Sequence, residues 1–81
     1  MKDEAMTQKV HTVNVIEFCS GCVDSIRSFT DNETGNREAE ILFYDRIKEE
    51  YPKTLDEEIE VCIDDGCFEY GNYEILLLHS I

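Results

Sequence analysis

Beyond Lys53 the chain contains no lysine or arginine at all. It has no tryptophan, one proline and four glycines, which excludes collagen-like and low-complexity linker sequences. Its longest apolar run, Ile75-Leu76-Leu77-Leu78, is strand-sized and far short of the ~18 residues of a membrane helix. No Gly-rich phosphate loop, G-x-S-x-G elbow, H-E-x-x-H helix or solenoid-period repeat occurs. The histidines, His11 and His79, fall on expected strands and lack a third catalytic partner. The opening residues 1–6 are charged and lack the apolar stretch of a secretory signal, so a cytoplasmic protein with reduced thiols is expected.

What the sequence has in excess is acid. Nineteen Asp and Glu against seven Lys and Arg give a formal charge of −12 over 81 residues. A basic nucleic-acid-binding face is thereby excluded, and neither nucleic acid nor membrane is an expected partner. A hydrophobic fraction of 42% is that of a globular chain rather than a disordered acidic tail. The length allows one domain; residues 1–8 read as a flexible amino terminus and 9–81 as the domain. Cores of this size are marginal, so a metal, a disulfide or a second subunit could supply stability.

Residues 10–19 are rich in β-branched side chains and 22–30 resume an apolar pattern, predicting a hairpin closed at Ser20-Gly21. Residues 30–36 are dense in turn formers and read as a loop. Ala39, Leu42, Phe43, Ile47 and Tyr51 then form a helical stripe, predicting a helix over 37–51, capped by Asn36 and stopped by Pro52. Residues 54–66 carry two patterns. Thr54 and Glu57 have capping-box spacing, Leu55, Ile59 and Ile63 share a helical face, and Gly66 is a terminator. Ile59, Val61 and Ile63 also alternate as a strand, but the start and stop signals favour a helix. Gly71-Asn72 is a turn, and residues 73–79 a strand. The expected fold is a small two-layer α+β domain, an antiparallel sheet with helix packing on one face, in the order β-β-α-α-β; the alternative is β-β-α-β-β.

One helix layer covers one face of such a sheet. The other is expected to be an apolar interface, with Val13, Val15, Leu76 and Leu78 as candidates and Ile81 adjoining, for a homodimer or a docked partner.

The four cysteines form two pairs, Cys19-x-x-Cys22 and Cys62-x4-Cys67. Tracing the chain through either topology puts the pairs at opposite ends, too far apart to share one zinc. Residues 17–22, Glu-Phe-Cys-Ser-Gly-Cys, resemble the strand and motif of selenoprotein W-like proteins, and Gly66-Cys67-Phe68-Glu69 is similar to that family's glycine-led strand. The resemblance implies a redox thiol pair at Cys19 and Cys22, whereas a metal-binding role for them rests on the spacing alone. Residues 30–36 depart from that family's pattern, in which the main helix begins close to the cysteines.

The charge is polarised. Residues 55–81 hold eight acids and no lysine or arginine, and six of the acids, Asp56, Glu57, Glu58, Glu60, Asp64 and Asp65, crowd one short element. These six are the candidate partner-binding residues of a non-enzymatic inhibitor or adaptor that docks onto a basic protein surface, where charge steers association. Small acidic phage-encoded inhibitors that mimic nucleic acid are similar in size and charge. No cofactor is expected. The alternatives are a thiol-dependent redox or zinc protein using Cys19 and Cys22, and a homodimeric structural protein.

Overall fold

A computed structural model describes residues 11–80, except for the side chain of Ser80. The expected flexible segment 1–8, the strand start at residue 10 and the place of Ile81 lie outside the described residues. The chain forms β1 (Thr12–Cys19), β2 (Cys22–Thr30), α1 (Glu33–Glu50), α2 (Asp56–Asp65), β3 (Cys67–Tyr70) and β4 (Tyr73–Ser80). The strands make one antiparallel sheet in the order β2-β1-β4-β3, with the helices on one face. This is the expected α+β class, with the short β3 in addition before the final strand.

Both hairpins turn on two residues at the same end of the sheet. Ser20 and Gly21 both adopt positive φ (53° and 83°), the requirement of a type I′ turn. Gly71 supplies φ +62° between Tyr70 and Tyr73, and the Ser20 N–H donates to the Asn72 carbonyl at 2.8 Å, tying the two turns together.

Helix α1 starts earlier than its apolar stripe predicts. Asn32, not Asn36, is the cap: its Oδ1 accepts from the Gly35 N–H at 2.7 Å, while Asn36 Nδ2 donates to Asp31 Oδ1 at 2.7 Å. The turn formers of residues 30–36 are thus a helix cap and first turn rather than a loop, because short polar side chains serve both ends of that choice. Ala39, Phe43 and Ile47 are buried as the stripe requires. The ambiguous stretch resolves as helix. Leu55 is its cap residue, and Glu58 rather than Glu57 reaches back, its carboxylate accepting from the Leu55 N–H at 3.1 Å. Thr54 instead donates its hydroxyl to the Tyr51 carbonyl. Ile59 is buried and Ile63 half-buried, but Leu55, expected inside, is exposed because it precedes the first helical turn. Gly66 ends α2 at φ +83°.

The core lies between the layers: Val13 and Val15 of β1, Tyr73, Ile75 and Leu77 of β4, and the apolar sides of α1 and α2. Val13 and Val15 are therefore core residues and not the expected open interface. Strand alternation puts Ile16 and Phe18 on the open face instead, and cross-strand register sets Ile26, Ile16, Leu76 and Cys67 in one row there. Ile26 and Leu78 remain 58% and 44% exposed.

Candidate functional site

The six carboxylates singled out by sequence all lie exposed on α2, but they are not equivalent. Asp56 accepts from the Tyr44 hydroxyl at 2.7 Å and pairs with Lys48 at 3.2 Å, which hold its carboxyl below the usual range. Glu58 is engaged at the helix cap. Glu57, Glu60, Asp64 and Asp65 pair with no base among the described residues. The first-turn acids suit the positive end of the helix dipole, whereas Asp64 and Asp65 sit at its negative end with no basic residue in the last turn. Unrelieved anionic charge therefore accumulates toward β3.

Beside α2 runs an open groove of ≈ 740 Å³. One wall is formed by Glu58 and Cys62 of α2, the other by all four residues of β3, with residues 50–54 closing the end. Its floor is aromatic. Tyr51 stacks edge-on against Tyr70 at 4.8 Å between centroids and lies 6.0 Å from Phe68. The Tyr51 hydroxyl also donates to the Tyr70 carbonyl at 3.1 Å. Glu50, Glu58 and Glu69 rim the groove, with Lys53 on its rim as well. Burial first, and then the charges of Cys67, Asp65 and Glu58, push the Cys62 thiol up, so it stays a protonated, apolar lining group.

Glu69 faces Glu74 directly across β3 and β4. Two like charges at opposed positions are destabilising, so this corner of the sheet is itself suited to a cation. The acids after residue 54 thus divide: six on the helix layer, and Glu69 and Glu74 on the sheet beside the same edge.

Cys19 and Cys22 close the first hairpin as direct partners, both exposed and free. The motif therefore lies in a β-turn followed by a strand, and α1 begins only after the whole of β2. The helix N-terminus that activates a thiolate in a strand–C-x-x-C–helix arrangement is not beside them. Cys67 sits opposite Leu76, which is level with Ile16, so the second pair lies part-way up the sheet and not at its far end. The ten-residue α2 is too short to reach that end before β3 turns back. Among the described residues no group of three or more His, Cys, Asp or Glu is arranged to hold a metal ion. A hairpin-closing pair places its Cα atoms ~5.5 Å apart, within disulfide range. Diamide is accordingly expected to join Cys19 and Cys22: the two thiols give their hydrogens to its azo bond and form one S–S bond. Alkylation and peptide mapping read the result; protection of any other cysteine pair in their place would contradict the register.

One chemically notable group escaped the sequence reading. Glu17 is 5% exposed on the helix side of β1. It accepts from the Tyr73 hydroxyl, the Ser25 hydroxyl and Arg46 Nε, each at 2.7 Å. Burial pushes its carboxyl up, but these three donors and the guanidinium charge outweigh it and hold the carboxyl below its ordinary range. Tyr73 is driven the other way, by burial and then by its bond to Glu17. The signal was present: strict alternation places Glu17 on the same side as Val13 and Val15, and Arg46 adjoins Ile47 on the helix stripe. The network ties β1, β2, β4 and α1 together.

No protein-family model, curated protein or solved structure matches this chain. No helix among the described residues is long and apolar enough to cross a membrane.

Proposed function

We propose that this chain is a non-enzymatic protein-binding module that captures a basic segment of a partner along α2 and the groove beside it. The observation that supports this best is the exposed, unpaired carboxylate series Glu57, Glu60, Asp64 and Asp65 on a helix that forms one wall of an aromatic groove with an acidic rim. Charge on α2 steers the partner in and rejects acidic competitors; the aromatic floor supplies apolar contact once it arrives. An inhibitor or adaptor acting on a basic protein in the cytoplasm is the role this chemistry fits, and the four free cysteines agree with a reducing compartment.

The test uses reversal of Glu60 and Asp64 to lysine, which leaves the Asp56 and Glu58 contacts of the helix start intact. With a short peptide of strictly alternating lysine and valine as probe, affinity measured by calorimetry is expected to fall about tenfold or more, with the wild-type affinity declining steeply with salt. Equal affinity for the wild type and the E60K/D64K variant would remove α2 from the binding surface.

A further inference from the structure

We propose that the basic partner segment enters as an extended strand that pairs with the free edge of β3, a mode of capture that rests on the reading above and specifies it. Strand β3 is an edge of the sheet, since the order ends β1-β4-β3. Tyr70 and Tyr73 close a two-residue hairpin, so they exchange ladder bonds, and the next residue out alternates. The Leu77 N–H donates to the Gly66 carbonyl at 2.8 Å, which fixes the phase: residues 66, 68 and 70 bond inward to β4. Cys67 and Glu69 therefore turn their backbone N–H and C=O groups outward. All four residues of β3 line the groove, so among the described residues this edge opens onto it rather than onto a covering element.

Side-chain chemistry selects the occupant. On the sheet face, a residue paired beside Glu69 extends the row Glu74–Glu69, and only a cation there relieves the repulsion between the two carboxylates. On the helix side, alternate residues of the added strand meet Phe68 and Cys62, which favour apolar groups. The partner is thus a segment alternating basic and apolar residues. An added strand gains affinity from main-chain hydrogen bonds and specificity from alternate side chains. A second copy of this chain is a poor occupant, because its own β3, Cys67–Tyr70, carries no basic residue to set beside Glu69.

The experiment measures binding of the alternating lysine–valine peptide to the full chain, beside an analogue N-methylated at every second residue on its bonding edge. Wild-type protein is expected to bind the first peptide about tenfold or more tightly than the second, the loss of two or more hydrogen bonds. Amide exchange at Cys67 and Glu69 is expected to slow on binding. The Glu69→Pro variant removes one outward N–H without touching the ladder to β4, and is expected to lose the discrimination that Glu69→Gln, which changes charge alone, retains. Equal binding of the two peptides would overturn strand addition while leaving capture by charge intact, and failure of both peptides to bind at low salt would overturn both readings. A chain dimer in sedimentation that Glu69→Pro abolishes would assign the edge to a second copy and overturn the basic occupant. Because the peptide comparison uses unaltered protein, the proposal stays testable even if Glu69→Pro does not fold.

Discussion

Replacing Arg46 with alanine is expected to destabilise the fold by about 2–3 kcal/mol, below the usual cost of breaking a buried ion pair because two other donors stay on Glu17. Among the described residues Arg46 is the only charged donor to that carboxylate: its Nε lies 2.7 Å from Glu17 Oε2, and its terminal nitrogens reach Glu49 and Glu50 at the protein surface. Without the guanidinium, a buried carboxylate keeps Ser25 and Tyr73 as its donors among the described residues. For a domain of this size that loss lowers the melting temperature by roughly 10–20 °C. The pH dependence distinguishes this cause from lost packing. A carboxyl held below its ordinary range contributes stability that is present above the unfolded-state value and is lost as pH falls through the folded one. The gap between wild type and R46A is therefore expected to narrow as the pH is lowered through that range. The E17Q/R46A double variant should recover part of the loss, since it removes the uncompensated charge. A constant gap across pH, measured by urea unfolding, would mean that Arg46 acts through its aliphatic stem alone.

An equally severe result is expected at Gly35, where the cause is purely steric. A Cβ on this residue would stand 1.8 Å from the Thr30 carbonyl oxygen and 2.8 Å from its carbon. Both are backbone atoms and cannot swing aside. Gly35→Ala must therefore lift the first turn of α1 from the end of β2, breaking the Asn32 cap with it. Overpacking of this kind costs ~3 kcal/mol. Amide exchange should show the loss concentrated at residues 33–37 and the adjoining end of β2. A change in unfolding free energy below ~0.5 kcal/mol, the range of ordinary surface substitutions, would mean that α1 does not dock there.

Gly35 also shows where the sequence was legible and where it was not. Apolar spacing at Ala39, Phe43 and Ile47 announces α1, and the Ser20-Gly21 dipeptide announces the first turn, because each is a local signal that the fold obeys. The start of α1 was misread since Asp31, Asn32, Thr34 and Asn36 suit a loop as well as a cap, and what decides is the close approach of Gly35 to Thr30. For a related reason local pattern does not announce strand β3, which only the resemblance at residues 66–69 suggested. Four residues bounded by glycine hold too little pattern, and pairing with β4 creates the strand. The acids of α2 could be read as a group, but the groove could not, because Tyr51, Phe68 and Tyr70 meet only through the tertiary fold. Glu17 was hidden by abundance: one carboxylate among nineteen carries no mark of burial except the parity of its strand position.

The uncovered side of the sheet has a consequence for how copies of this protein behave near one another. Ile16, Phe18, Ile26, Leu76 and Leu78 offer a sticky plane that no helix among the described residues shields. Long-range repulsion between equally charged bodies keeps two such planes from meeting, and that repulsion weakens with added salt or with protonation of the carboxylates. The surplus anionic charge thus opposes self-association whether or not it also serves the proposed recognition, and substitutions that trim it to probe binding also lower the barrier to clumping.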